Sequence, residues 1–194
     1  MSETISIYPK PQHFHRGEHR VPMPPQFTYE GNYPLTLAHK KRIADIENQL
    51  DLASSGAPLP LHIHHNADLS PRTSYYTLSI DDSQILIETV GDESLYYALT
   101  TLYHIVDQSR DTLPHLRIED YATSQFRGLV EGYYGIPYSL ENRESLMEFG
   151  SFFKMNTYVY APKDDPYHRD LWWEEYPAGN LTDLSRQAQF GEEH

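Results

Sequence analysis

The chain has 194 residues, 15 Lys and Arg against 28 Asp and Glu, a formal net charge of −13 and no cysteine. The length admits one ordinary domain, or a small domain and part of another, and falls short of the roughly 250 residues of a complete (β/α)8 barrel. The charge argues against nucleic acid as the main partner. No apolar run nears the ~20 residues of a membrane span, and the missing thiols exclude disulfides, zinc–thiolate sites and cysteine nucleophiles.

The N-terminus, Met1-Ser2-Glu3-Thr4-Ile5, lacks the basic and apolar regions of a signal peptide, so a cytoplasmic chain is expected. Residues 1–34 hold Pro9, Pro11, Pro22, Pro24, Pro25 and Pro34 and read as extended edge structure and turns. Thr36 is a helix cap for a segment reaching Leu50, with Ile43, Ile46 and Leu50 on one face and a stop at Ser54-Ser55-Gly56. Leu59 to Ile63 reads as a strand. Tyr75 to Ile80 and Ile85 to Ile87 form a hairpin around Asp81-Asp82-Ser83. Asp92 opens a helix with Leu95, Ala98, Leu99, Leu102 and Val106 as its apolar stripe, stopped at Leu113-Pro114, and Leu116 to Ile118 returns as a strand.

The pattern then changes. Phe126 to Val130 is a short strand that ends in Glu131-Gly132-Tyr133-Tyr134-Gly135, glycines around tyrosines where a strand opens into a tight loop. Ser139 caps a helix with Leu146, Met147, Gly150 and Phe153 on one face, and Asn156 to Tyr160 is a second strand. Strand, helix, strand predicts a parallel βαβ unit. A polar helix follows from Thr182 or Asp183. The organisation expected is an α+β domain over residues 1–122, then the first β/α units of an incomplete TIM barrel over 123–194.

Working residues of parallel α/β folds sit at strand C-termini. One such end carries Glu131, Gly132, Tyr133 and Tyr134; the other carries Lys163, Asp164 and Asp165, then Tyr167, His168 and Arg169. A lysine, carboxylates and aromatics at one mouth suit a hydroxyl-bearing ligand, although the pattern alone favours solvated loop charges and helix-capping aspartates. Asp164 and Asp165 invite a two-carboxylate glycosidase reading, but neighbours in an extended segment point apart. His62 and His64 share a strand face, as do His13 and His15; without an acid cluster nearby they make a weak metal signal. No Walker A, GxGxxG or GxSxG pattern occurs.

The stretch Arg127-Gly-Leu-Val-Glu-Gly-Tyr-Tyr-Gly-Ile-Pro-Tyr138, with Met155-Asn-Thr-Tyr-Val-Tyr-Ala-Pro-Lys-Asp-Asp-Pro-Tyr-His-Arg169, resembles the opening of the catalytic domain of glycoside hydrolase family 84. Trp172, Trp173, Glu174 and Tyr176-Pro177 resemble the next stretch of that domain. Tyr8-Pro9-Lys10-Pro11-Gln12, the hairpin and Tyr97 to Leu102 resemble the small domain that precedes the barrel in bacterial members and in family 20 hexosaminidases. The resemblance implies a hydrolase: a β-N-acetylglucosaminidase, O-GlcNAcase or bacterial hyaluronidase-like glycosidase, with a metal-free, cofactor-free mechanism. In it the substrate's own acetamido oxygen attacks the anomeric carbon, one aspartate orients the acetamido group, and its neighbour is acid and then base.

That aspartate pair is expected beyond His194, and Asp164 and Asp165 match the family's lysine-bearing loop instead. Carried over, Gly132 offers backbone and Lys163 a donor to the sugar, with Tyr134 and Asp164 as weaker contacts. The chain alone is then expected to be inactive. Its expected partners are an N-acetylglucosamine-containing glycan or glycoprotein and the remainder of the barrel, with neither nucleic acid nor membrane. The alternative is a non-catalytic carbohydrate-binding or protein-interaction module.

Overall fold

The computed structural model describes residues 5–31, 33–50, 56–132, 134–161 and 163–193. Met1–Thr4, the helix stop at Ser54-Ser55, Tyr133 and the side chain of His168 lie outside the described residues. The chain divides into two compact units, Met1–Thr123 and Ser124–His194.

The first unit is a six-stranded mixed sheet with two helices. Its strands are β1 (His13–Pro22), β2 (Phe27–Glu30), β3 (Leu59–His65), β4 (Tyr76–Ile80), β5 (Ile85–Thr89) and β6 (Thr112–Asp120), in the order β1-β6-β4-β5-β3-β2. Strands β2, β3 and β5 run parallel; β4 is antiparallel to β5 and β6, and β1 to β6. The two strands of the proline-rich segment are thus the two edges, where a missing N–H leaves no central ladder broken.

Period-two alternation selects the core face. Leu59, Leu61 and Ile63 on β3, Tyr76, Leu78 and Ile80 on β4, and Ile85 and Ile87 on β5 are buried, with partly exposed residues between them. Helix α2 (Asp92–Asp107) lays Leu95, Leu99, Leu102, Ile105 and Val106 into the same core. Helix α1 (Leu37–Glu47) packs on α2. Its cap is reciprocal: the His39 N–H donates to Thr36 Oγ1 at 3.3 Å, and the Thr36 N–H donates to His39 Nδ1 at 3.1 Å. His39 Nε2 lies 2.9 Å from the Asp92 carbonyl at the start of α2, and burial lowers its pKa. Tyr76 is fully buried; its hydroxyl donates to Asp120 at 2.9 Å and sits 2.6 Å from the Thr101 hydroxyl.

Leu113-Pro114 does not stop α2. The helix ends at Asp107, and both residues belong to β6. Pro114 is tolerated there because β4 pairs with β6 only from Leu116 onward, so the proline faces β1 alone, beside that pair's irregularity.

The second unit is a two-stranded parallel sheet, β7 (Gly128–Glu131) and β8 (Thr157–Tyr160), joined through helix α3 (Leu140–Ser151). Ser139 caps α3 by accepting from the Asn142 N–H at 3.3 Å. Helix α4 (Pro166–Arg169), absent from the sequence expectation, follows β8. Helix α5 (Ala178–Glu193) starts four residues before Thr182. Arg186 of α5 pairs with Glu144 of α3 at 2.9 Å. Strand approach is close at Gly128, where an added Cβ would lie 1.6 Å from the Thr157 carbonyl oxygen.

Candidate functional site

Because β7 and β8 are parallel and in register, with Glu131 opposite Tyr160, both open their following loops at the same sheet edge. The Ala161 N–H extends the ladder by one bond to the Glu131 carbonyl at 3.0 Å. Beyond it the first loop carries Gly132, Tyr134 and Gly135, and the second carries Lys163 and Asp164. Asp164 Oδ2 accepts from the Gly135 N–H at 2.7 Å. Gly135 has φ 131°, a conformation that excludes side chains with a Cβ at low cost. Lys163 Nζ stands 4.9 Å from the centroid of the Tyr134 ring, a cation–π distance. Arg169 reaches Asp164 Oδ1 at 3.5 Å. The fold therefore gathers Lys163, Tyr134 and Asp164 into one exposed cluster beside Gly132.

The other acids of the mouth are structural. Glu131 is 2% exposed and its carboxylate accepts four hydrogen bonds: Arg143 Nε at 2.6 Å, Arg143 Nη2 at 3.0 Å, the Tyr158 hydroxyl at 2.8 Å and the Tyr138 N–H at 3.0 Å. Burial pushes the carboxyl up, but these donors outweigh it and hold its pKa below the ordinary glutamate value. Burial and the bond to Glu131 push the Tyr158 hydroxyl up. Asp165 is the cap of α4. It accepts from the Tyr167 N–H at 2.9 Å, from the Tyr160 hydroxyl at 2.8 Å and from the Tyr176 hydroxyl at 3.4 Å. Asp164 and Asp165 thus serve two different loops and do not converge as an acid–base pair.

Sequence pattern left Arg143 unremarked, yet it is legible in hindsight. It falls in phase with Leu146, Met147 and Gly150 on the inward face of α3, and Tyr158 and Tyr160 share one face of β8. The histidine pairs stay outside the chemistry. His62 Nδ1 is 3.6 Å from Glu30, and the His62 and His64 rings are 6.3 Å apart. Among the described residues no three ligating side chains form a group that could hold a metal, and no helix is long and apolar enough to cross a membrane.

Residues 4–121 match the model of glycosyl hydrolase family 20, domain 2. The chain belongs to that family. Residues 127–194 match a second model, beta-N-acetylglucosaminidase. The solved structure of CpGH84D superposes with a TM-score of 0.83 at 29% identity, over 99% of this chain and 36% of that one. CpGH84B gives a TM-score of 0.81 at 26% identity, over 98% and 35%. Protein O-GlcNAcase of Rattus norvegicus is 49% identical over 57 residues, 29% of this chain and 6% of that protein. Beta-hexosaminidase of Vibrio vulnificus is 24% identical over 115 residues, 58% of this chain and 13% of that protein. A Vibrio harveyi family 20 exo-beta-N-acetylglucosaminidase shares the fold over 82% of this chain at TM-score 0.63. The family 20-type domain therefore stands ahead of a segment like the N-terminal portion of family 84 glycosidases, and the chain spans little more than a third of the two family 84 structures and about a quarter of the Vibrio harveyi one.

Proposed function

We propose that this chain is the N-terminal part of a β-N-acetylglucosaminidase, with residues 123–194 supplying the first two β/α units of its (β/α)8 barrel. Gly132, Tyr134, Lys163 and Asp164 form one wall of the sugar site. The observation that carries this reading is the pairing of Lys163 with Tyr134 and of Asp164 with Gly135 across two parallel strand ends. The ammonium there can donate to a sugar hydroxyl while the ring offers a face to the pyranose. The cleavage is substrate-assisted: the acetamido oxygen attacks the anomeric carbon as the glycosidic bond breaks, an acid protonates the leaving oxygen, and water then opens the oxazoline.

Neither acid of that sequence is Asp164 or Asp165, since the first is tied to Gly135 and the second is spent on Tyr160, Tyr167 and Tyr176. The 194 residues alone are accordingly inactive; the edges of β7 and β8 take further barrel strands, whose inward side chains pack on exposed Val130 and Val159. The substrate is a glycan or glycoprotein ending in N-acetylglucosamine.

Titrating the labelled chain with methyl N-acetyl-β-glucosaminide is expected to shift the amides of Gly132, Gly135 and Lys163, with millimolar affinity because few pocket walls are present. Lys163→Ala is expected to weaken that binding several-fold. A flat titration removes the sugar-wall assignment, and hydrolysis of an aryl N-acetylglucosaminide by the purified chain removes the assignment of the acids elsewhere.

A further inference from the structure

Each long helix of the second unit buries one long polar side chain. On α3 it is Arg143, which Glu131 satisfies. On α5 it is Gln187, which is 4% exposed with no hydrogen-bond partner for its Nε2. A buried amide donor left unpaired is costly, so an apolar residue there would stabilise the unit. A buried donor without a partner beside open space points to a ligand.

Gln187 lines a cavity of about 540 Å³ bounded by α3, α4, α5 and the end of β8, and it also borders a neighbouring cavity of about 450 Å³ between α3, α5 and β8. Tyr167 and Tyr176 lie on the wall of the first with ring centroids 5.1 Å apart, and Asn180 and Asp183 line it as exposed acceptors. Asp164 borders both this cavity and the Lys163 cluster, whereas Lys163 and Tyr134 line no part of it.

We propose that this cavity is a second saccharide subsite for a neutral pyranose. The three requirements of the lining select that chemistry together. The tyrosine faces take the C–H side of a sugar ring. Asp183 and Asn180 accept from its hydroxyls, and a hydroxyl oxygen accepts from Gln187 Nε2. Asp164, Asp165 and Asp183 face the cavity while its arginine, Arg143, is already paired with Glu131, so anionic sugars are disfavoured.

The site does not depend on the function proposed for Lys163, and the two separate by mutation. Methyl β-glucopyranoside titrated into the labelled 194-residue chain is expected to shift the amides of Tyr167, Tyr176 and Gln187 saturably, with methyl β-glucuronide at least several-fold weaker. Gln187→Met keeps the volume and removes the donor. It is expected to hold or raise the melting temperature and to weaken glucoside binding about tenfold. Asp183→Ala, at an exposed position, is expected to weaken binding without loss of fold, and Lys163→Ala is expected to leave it unchanged. Absence of saturable shifts, equal binding of the glucuronide, undiminished binding by Gln187→Met, or loss through Lys163→Ala each overturns the subsite.

Discussion

Glu131 and Arg143 show why a carboxylate at a strand end need not be catalytic. Glu131 reads from sequence as part of a mouth, yet its side chain is buried and collects four donors. Ion pairs this buried add little net stability, but losing one member strands a charge, at about 3–5 kcal/mol. Its lowered pKa fixes the sign of a pH effect. The carboxyl binds its proton more weakly folded than unfolded. The stability it adds is therefore present at neutral pH and is lost as pH falls through the ordinary carboxylate range to the lower folded value. Glu131→Gln should melt lower than the parent at neutral pH and converge with it in acid. Parallel melting curves across the pH range would show that the pair is not linked to folding.

At the scale of elements, the second unit hangs on a strand pair whose spacing a single glycine permits. An added Cβ at Gly128 meets the Thr157 carbonyl 1.6 Å away, a backbone atom that cannot rotate aside. Gly128→Ala should separate β7 from β8. Amide exchange at Leu129 to Glu131 and Tyr158 to Tyr160 should then lose protection while β3 to β6 keep theirs; retained protection at β7 would refute the close approach. Element identity was largely readable: the α2 stripe, the hairpin and the Thr36 and Ser139 caps are local signals, fixed by spacing and by which side chain can reach a free N–H. The misreadings came from non-local context. Pro114 looks like a helix stop, but pairing on one side only lets it sit in a strand. Helix α4 has four residues and one cap, too short for any periodicity to announce it.

For the whole molecule, the formal charge of −13 sets the long-range field. Self-repulsion of a strongly acidic chain weakens the compact state. Raising ionic strength from about 0.01 M to about 0.15 M shortens the screening length from about 30 Å to about 8 Å. The melting temperature should rise over that interval by a few degrees. A fall would mean that specific ion pairs, among them Arg186 with Glu144, outweigh the net repulsion. The same field leaves binding of a neutral sugar almost unaffected by salt.

The sequence by itself determined the class of most elements, the proline-rich edges, the βαβ order of the second unit and its family 84 motifs, because periodicity, capping and contiguous motifs are written along the chain. It also placed Gly132, Tyr134, Lys163 and Asp164 at strand ends. Only the tertiary structure decided which of these meet and which acids are already taken. Lys163 finds the Tyr134 ring and Asp164 the Gly135 amide, while Glu131 and Asp165 are consumed by Arg143 and by tyrosines up to 27 positions away. Those pairings depend on strand register and on the burial that makes an unmet hydrogen bond costly, and neither quantity is carried by any one segment of the chain.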